Sequence, residues 1–227
     1  ILGGAIELTI EEKQITFPKK YGQIVFLAGG GGSGKGFVIS KFMNSSNFKT
    51  IDVDYWKGQF LKLAKETDKY PELKGMDLRN PKHVFALHQF VKKKKIKAKK
   101  IKGLFDGVKI DRLPNVIFDV TMNDEDSMRE VIPMALKLGY DPKDIHLVWV
   151  LTNFHTAMAN NKTRDRIVPD DIMLEAHEGV ALVMNEVLKG RGFIKSRKKL
   201  DGTISVVLNN REETKFYPDG KTIKGFT

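Results

Sequence analysis

The sequence contains no cysteine and no apolar run long enough to cross a bilayer. Without cysteine the chain can form no disulfide, no thiolate metal site and no cysteine nucleophile. Without a long apolar run we expect no membrane-spanning segment and no membrane partner. The five histidines show no spacing typical of metal ligands, so we also predict no zinc site.

The charge of the chain is strongly one-sided. The 227 residues have an ordinary globular composition, 41% hydrophobic and 30% charged, yet they carry a formal net charge of +11. An excess of this size indicates an anionic partner. Binding of ATP alone would not require so much positive charge, whereas a nucleotide-containing or nucleic-acid partner would interact with it.

The most informative stretch is residues 29–35, where Gly29 and Gly34-Lys35 have the G-x-x-x-x-G-K spacing of a phosphate-binding loop. An all-apolar strand precedes it, and a helical stretch follows. Glycines let successive backbone N–H groups point at one anion, and the lysine reaches the outer phosphates of a nucleoside triphosphate. We therefore predict that ATP phosphates bind to Gly30, Gly31, Gly32, Ser33, Gly34, Lys35, Gly36 and Phe37.

One part of the loop pattern is missing. The position after Lys35 is usually Ser or Thr, whose hydroxyl holds Mg²⁺, but here it is Gly36, followed by Phe37. Mg²⁺ would have to be held through water, through Ser33 or through aspartates. With this departure, catalysis that is weakened or absent remains an open alternative.

Apolar strands alternate with helical stretches along the chain, which predicts an α/β fold with a mostly parallel sheet. We expect core strands at residues 23–28, 49–53, 115–120 and 144–151. Residues 80–103 read as one basic amphipathic helix that Asn80 caps and Gly103 ends. After Asp201-Gly202 and around Asp219-Gly220 we expect an antiparallel hairpin.

The domain organisation that follows is a three-layer P-loop NTPase core with two additions. Residues 1–190 form the core, in which 22–190 is the kinase-like part and 1–21 an N-terminal arm. Residues 191–227 form a β-hairpin extension packed on that core.

Acids stand at the ends of two expected strands. Asp52 and Asp54 follow the second, and Asp119 ends the third with Thr121 beside it. Ligands of open parallel sheets bind beyond the carboxyl ends of the strands. Phosphoryl transfer needs a phosphate cradle, a metal organiser and a carboxylate that accepts a proton, so the pattern favours a kinase. Helix capping by Asp52 or Asp54 is the simpler alternative.

The loop, the strand-end acids and the arginine-bearing segment 161–169 together resemble the zeta-toxin-type P-loop kinases, especially small phage-encoded members. The resemblance covers roughly residues 22–190. It implies that Asp54 is the general base and that Asp119, with Thr121, contacts the acceptor or helps to organise Mg²⁺. It also implies that Arg164 and Arg166 clasp the triphosphate. Asp52 would support the metal or the acceptor.

The sequence thus predicts a cytoplasmic, ATP- and Mg²⁺-dependent phosphotransferase acting on a hydroxyl of a nucleotide-containing or other small acceptor. If the chain is phage-encoded, the compartment is the host cytoplasm. Two alternatives stay open. One is a polynucleotide-end kinase that uses the basic helix 92–102, and the other is a nucleotide-binding interaction module without catalysis. The acceptor and the oligomeric state do not follow from the sequence.

Overall fold

The structure, a computed structural model, describes residues 15–18, 21–190, 200–210, 214–216, 218 and 223–226. Side chains at 53, 54, 97 and 110, and those of the last two strands, are outside the description. No helix among the described residues is long and apolar enough to span a bilayer.

Five parallel strands form the main sheet, in the spatial order β2-β3-β1-β4-β5. Their bounds are β1 Ile24–Ala28, β2 Phe48–Asp52, β3 Asn115–Asp119, β4 Ile145–Leu151 and β5 Ile204–Leu208. Since β1 lies in the middle, the loop that follows it emerges at the centre of the carboxyl edge of the sheet. The predicted parallel α/β fold is confirmed.

Seven helices connect and cover the strands of the described chain. They are α1 Lys35–Lys41, α2 Val53–Glu66, α3 Pro81–Lys93, α4 Ile96–Phe105, α5 Asp126–Leu138, α6 Phe154–Lys162 and α7 Asp170–Leu188. Short 3-10 turns lie at Pro71–Leu73, Ile110–Arg112 and Pro142–Asp144. Asn80 caps α3 through a hydrogen bond from the N–H of Lys82, as its position before Pro81 predicts.

Both faces of the sheet are buried, which makes three layers. Strand β1 is fully buried, and its residues alternate between two hydrophobic cores. Phe26 belongs to the larger core, which includes residues of α4, α5 and α7. Val25 and Leu27 belong to the smaller core, where Val38 of α1 packs. A strand buried on both faces reads as a continuous apolar run, and for this reason β1 is recognisable from the sequence.

The prediction of a single basic helix over residues 80–103 is wrong. The chain breaks into α3 and α4 at Lys94 and Lys95, and Lys95 has a left-handed φ of 51°. The physical reason is that the two halves pack on different partners. Leu87 of α3 joins a small cluster with Ala64 of α2, whereas Ile101 of α4 belongs to the main core.

The end of α4 also differs from expectation. Gly103 lies inside the helix, which continues to Phe105. Phe105 is buried in the main core against Tyr140, and its ring meets that of Tyr140 edge-on at 5.9 Å between centroids. The burial of this apolar side chain offsets the weak helix propensity of the glycine.

Residues 204–208 do not form part of an antiparallel appendage, as the turn signal at Asp201-Gly202 suggested. They form β5, which pairs in parallel with β4. The N–H of Gly202 donates to the carbonyl of Ile145 at 3.1 Å, so the turn leads the chain onto the edge of β4. A short-range turn pattern cannot reveal this long-range pairing.

The remaining predictions at the chain ends have mixed outcomes. Two later strands, β6 Thr214–Phe216 and β7 Ile223–Phe226, pair antiparallel, but the turn expected at Asp219-Gly220 lies outside the described residues. The hairpin and the division of the chain at residue 190 therefore stay predictions, with β5 reassigned to the main sheet. Of the expected arm, Ile15 forms a parallel bridge with Met43.

Candidate nucleotide-binding site

Side chains from distant parts of the fold hold the carbonyl groups of the glycine loop. The ring Nε2–H of His177 on α7 donates to the carbonyl of Gly31 at 2.9 Å. The amide of Asn160 on α6 donates to the carbonyl of Gly32 at 3.0 Å. Both helices therefore fix the orientation of the peptide planes at the loop tip.

The next carbonyl of the loop, that of Ser33, accepts two hydrogen bonds. The hydroxyl of Thr152, just after β4, donates to it at 2.9 Å, and the amide of Asn209, just after β5, donates at 2.6 Å. A Cβ atom added at Gly34 would overlap the same Asn209 amide, and Gly34 has φ +93°. The last glycine of the motif is thus required both for its backbone conformation and for this close approach.

Several loop N–H groups are left for a ligand by this arrangement. Among the described residues, none accepts a hydrogen bond from the N–H of Gly31, Gly32 or Gly34, while the carbonyls of Gly31, Gly32 and Ser33 are all engaged by side chains. A row of backbone donors without protein acceptors is the arrangement by which phosphate loops bind anions.

Close packing explains the other glycines of the loop. At Gly30 an added Cβ would overlap the ring of His177, and at Gly32, which has φ +72°, it would overlap the carbonyl oxygen of Ala157. Gly29 has a φ of +155°, and a Cβ there would lie 2.6 Å from the hydroxyl oxygen of Ser33. The run of glycines is therefore a requirement of this fold and not a flexible linker.

Lys35 lies over the loop at the start of α1. Its Nζ donates to the carbonyl of Gly29 at 2.7 Å and lies 3.8 Å from Oδ1 of Asp119. Both side chains are about one-sixth exposed, 17% in each case. The ammonium group is thus beside the loop and is partly accessible to a ligand. The backbone at Thr121 also meets the loop, because its carbonyl accepts from the N–H of Gly29 at 3.2 Å.

The two strand-end acids that the sequence singled out are neighbours in the sheet. Asp52 of β2 and Asp119 of β3 are register partners. On the other side of β3, Leu27 of β1 lies opposite Asp119. Both carboxylates therefore stand at the carboxyl edge on adjacent strands, and that of Asp119 lies beside Lys35 of the loop. Asp54 lies in the first turn of α2, and its side chain lies outside the described part of the chain.

A cleft of about 440 Å³ opens next to Asp52. It lies between the end of β2 and helices α2 and α4, and its walls combine one carboxylate, two aromatic rings and one ammonium group. The lining residues are Thr50, Ile51, Asp52, Tyr55, Trp56, Ile96 and Lys100. Its volume lies within the range typical of small-molecule sites, about 300 to 1,000 Å³.

The arginine segment between α6 and α7 also reaches the loop. The side chain of Asn161 clamps it, donating to the carbonyl of Val168 at 2.7 Å and accepting from the N–H of Val168 at 3.0 Å. A Cβ added at Gly31 would lie 3.8 Å from a Val168 methyl group. Arg164 and Arg166, both partly buried, belong to this clamped segment.

The expected Mg²⁺ ligands fit only in part. Asp52 and Asp119 are oxygen donors on adjacent strands, which suits this cation together with water and substrate phosphates. Ser33 is 1% exposed and its hydroxyl is buried, so this side chain does not face the open site. No cluster of three or more acids or histidines suited to a metal occurs among the described residues.

The two positions after Lys35 differ in their surroundings. Gly36 is exposed, and an added Cβ would meet no atom within 4 Å. The side chain of Phe37 packs against the smaller core and lies near Phe42, with 5.5 Å between ring centroids. Only the backbone of Phe37 is thus available to a ligand at the helix start.

Four residues that support the loop were not predicted from the sequence: Thr152, Asn160, His177 and Asn209. Thr152 and Asn209 each follow a strand of the sheet, and that position is the one signal that could have indicated them. His177 has a structural role at the loop, as its place on the inner stripe of α7 suggests.

No protein-family model matches the sequence, and no curated protein matches it. Among solved structures, one from the PezAT chromosomal toxin–antitoxin system of Streptococcus pneumoniae is similar with a TM-score of 0.52 and 13% identity. The match covers 85% of this chain and 69% of that chain. This likeness shows that the two chains share a fold. The resemblance to zeta-toxin-type kinases is thereby confirmed at the level of the fold.

A second solved structure, deoxyadenosine kinase from M. mycoides with bound dATP, matches with a TM-score of 0.39 and 14% identity. That match covers 82% of this chain and 90% of that chain. The first likeness, at 13% identity, concerns the fold alone, and function has to be argued from the site.

Proposed function

We propose that this chain is an ATP-dependent phosphotransferase that moves the γ-phosphoryl group to a hydroxyl of a nucleotide-containing or other small acceptor. The observation that carries the proposal is the loop itself. Its carbonyls are engaged by His177, Asn160 and Asn209, and its N–H groups at Gly31 and Gly32 have no acceptor among the described residues. A loop held this rigidly is preorganised for a phosphate group, because binding then costs little ordering of the chain.

The charges around the loop support transfer as well as binding. Lys35 exchanges its contact with the Gly29 carbonyl for the outer phosphates of the nucleotide. Arg164 and Arg166 lie on the segment that packs against the loop, and we assign them to the triphosphate, where they neutralise charge during transfer. Cations that approach from two sides are what a loose phosphoryl transition state requires.

Mg²⁺ would be held by Asp52 and Asp119, with the nucleotide phosphates and water completing its shell. When bound, it supplies charge neutralisation at the β- and γ-phosphates. The chain lacks the usual hydroxyl at Gly36, so we expect this chain to bind Mg²⁺ more weakly than a loop with Ser or Thr.

The cleft beside Asp52 is the proposed acceptor site. In the reaction, the acceptor oxygen forms a bond to the γ-phosphorus, the bond to the β–γ bridging oxygen breaks, and ADP leaves. The hydroxyl proton passes to a carboxylate, for which we propose Asp54 at the start of α2, with Asp52 and Thr121 orienting the acceptor.

The test is phosphate transfer from γ-labelled ATP to a panel of nucleosides, nucleotides and nucleotide sugars. Lys35→Ala should abolish transfer and weaken ATP binding, whereas Lys41→Ala, which removes an exposed lysine at the other end of α1, should change neither. Asp54→Asn should abolish transfer and leave ATP binding intact. Transfer that survives Asp54→Asn removes the base assignment.

A non-catalytic nucleotide-binding module is the second candidate, and the missing hydroxyl at Gly36 is the observation that favours it. In that case the protein binds ATP and the Lys35→Ala variant does not. No acceptor, divalent metal or pH then yields transfer or hydrolysis. Calorimetry and turnover assays on the same preparation separate the two candidates.

A further inference from the structure

The positive charge of the chain is concentrated in one segment. Residues 78–105 contain ten of the 39 basic residues and none of the 28 acidic ones. The rest of the chain is nearly balanced, 29 basic against 28 acidic residues. The net charge of +11 is therefore almost entirely a property of α3, α4 and the link between them.

Most of these lysines lie around the junction of the two helices, which we call the lysine elbow. It comprises the exposed residues Lys92, Lys93, Lys94, Lys95, Lys99, Lys100 and Lys102. The left-handed residue Lys95 turns the chain there, so that the lysines of both helices flank one corner. Like charges this close repel one another, and a fold keeps such a corner at a cost in stability.

The elbow lacks compensating acids. Within the described chain, no carboxylate forms an ion pair with Lys92, Lys93, Lys95, Lys99 or Lys102. Lys94 and Lys100 instead pack on aromatic rings: the Nζ of Lys94 lies 5.1 Å from the ring centroid of Tyr70, and that of Lys100 lies 4.2 Å from that of Trp56. The elbow is thus a surface of uncompensated charge that suits a polyanion.

The exposed face of α3 adds one aromatic side chain to this surface. Lys82, Phe85, Gln89 and Lys92 recur at helical spacing and are all exposed, with Phe85 46% accessible. One ring among lysines suits base stacking in a single strand. An interfacial membrane helix would carry a continuous apolar face outward, but the apolar residues Val84, Leu87 and Val91 of α3 are buried in the body.

The elbow also adjoins the cleft. Ile96, the residue after the elbow turn, lines it together with Lys100, one helical turn further on. Asp52 and the exposed ring of Tyr55 line the same cleft. A polymer bound along the elbow would therefore have one of its units at the mouth of a cleft whose volume suits a nucleotide.

We propose that the lysine elbow binds the phosphate backbone of single-stranded nucleic acid and that one nucleotide of the strand enters the cleft beside Trp56. This goes beyond the proposed kinase reaction, since binding needs neither ATP nor transfer. Where the kinase function also holds, a hydroxyl of that nucleotide is the acceptor. The phosphoryl group then moves to its oxygen, and its proton to the carboxylate named above.

The binding test uses fluorescence anisotropy with a short fluorescein-labelled oligothymidylate. The elbow variant is Lys93→Gln, Lys95→Gln, Lys99→Gln and Lys102→Gln combined. The matched control is Lys41→Gln, Lys137→Gln, Lys143→Gln and Lys189→Gln, which removes the same charge from exposed sites elsewhere. The elbow variant should lose at least tenfold in affinity at low salt. Its log–log salt slope should fall by about 3, because each lost backbone contact contributes about 0.7 on single strands.

Trp56 reports the nucleotide in the cleft. Oligothymidylate should quench the tryptophan fluorescence of the unmodified protein and of the Trp149→Phe variant. The Trp56→Phe variant should show no quenching and should keep most of its affinity for oligothymidylate. Quenching that persists in Trp56→Phe places the nucleotide elsewhere and overturns that half of the proposal.

Three outcomes would overturn the elbow assignment. They are an equal loss in the control variant, salt-insensitive binding, and binding to phosphatidylserine vesicles in place of oligothymidylate. All measurements are repeated with Lys35→Ala, which removes the proposed ATP contact and leaves the elbow intact. Oligonucleotide binding by that variant separates a failure of the kinase proposal from a failure of this one.

Discussion

Oδ1 of Asp119 lies 3.8 Å from Nζ of Lys35, and the same ammonium group donates to the carbonyl of Gly29 at 2.7 Å. The lysine of the loop is thus held between a neutral acceptor and a carboxylate at the edge of the sheet. Both side chains are 17% exposed, so a ligand can still reach the pair. Its importance lies in what happens when a triphosphate competes for the lysine.

Asp119→Asn should have opposite effects on ATP binding with and without Mg²⁺. Without the metal, removal of a carboxylate beside the phosphates should strengthen ATP binding by a few-fold, since one repulsion is lost. With Mg²⁺, the affinity should fall at least tenfold, because one of two proposed oxygen ligands is lost. Calorimetric titration with ATP in EDTA and in MgCl₂ measures both. Equal changes under the two conditions would contradict the assignment of Asp119 to the metal.

Gly36→Ser should strengthen Mg²⁺-dependent ATP binding. The position is exposed, and a side chain there meets no atom within 4 Å, so the hydroxyl can be added without disturbing the loop. Gly36→Ala is the control, since either residue raises helix propensity by several tenths of a kcal/mol and only serine adds an oxygen. The readout is the ratio of ATP affinities with and without Mg²⁺. The same ratio in both variants would show that the missing hydroxyl is not what limits metal binding.

Gly32→Ala should destroy the phosphate cradle, whereas Gly36→Ala should preserve it. A Cβ at Gly32 overlaps the carbonyl oxygen of Ala157, and the left-handed backbone, φ +72°, costs a further ~1–2 kcal/mol for a residue other than glycine. We expect ATP binding to fall by at least a hundredfold and thermal stability to decrease. Calorimetry and thermal unfolding of the two variants check this. Normal ATP affinity in Gly32→Ala would mean that the loop adopts another conformation.

The loop could be predicted from the sequence because its determinants are local. Residues 29–35 carry the glycines, the lysine and the flanking strand in one stretch, and glycine requirements follow from backbone conformation. The strand-end acids Asp52 and Asp119 were predictable for a similar reason, since parallel strands bring their carboxyl ends to one edge. Spacing along the chain was enough in both cases.

The supports of the loop could not be predicted in this way. Asn209 donates to Ser33, 176 residues away, and a single asparagine after a strand is usually a turn residue. The break at Lys95 was missed because the apolar stripe runs through both halves with a single interruption, at Lys94, although the halves pack against different surfaces. The position of β5 likewise depends on its long-range parallel pairing with β4, whereas the local Asp-Gly signal indicated a hairpin.

Asn209→Ala should weaken ATP binding without unfolding the protein. The amide holds the carbonyl of Ser33 at 2.6 Å, and loss of one such bond costs about 1 kcal/mol, which corresponds to roughly a fivefold change in affinity. Asn210→Ala is the control, because Asn210 accepts a hydrogen bond from the N–H of Asn153, the residue that caps α6. Measured by calorimetry, an equal loss of ATP affinity in both variants would argue against a positioning role for Asn209.

His146 should make the stability of the protein decrease in acid. The N–H of Thr203 donates to Nδ1 at 2.9 Å, so Nδ1 is an acceptor, and Nε2–H donates to Oε1 of Gln23 at 2.8 Å. The ring is therefore neutral in the fold. Burial lowers its pKa below the usual value near 6.5, and the nearby Asp144 opposes this only in part.

Because the folded pKa is lowered, the unfolded chain takes up the proton first as the pH falls. The free energy of unfolding should be fully maintained above about pH 7, decrease as the pH falls below about 6.5, and level off below the folded pKa. His146→Gln, whose amide can replace one donor and one acceptor, should remove this part of the pH dependence, whereas His155→Gln at an exposed site should keep it. Urea unfolding between about pH 5 and 8, the range over which histidine titrates, measures the difference. An unchanged slope in His146→Gln would show that another group is responsible.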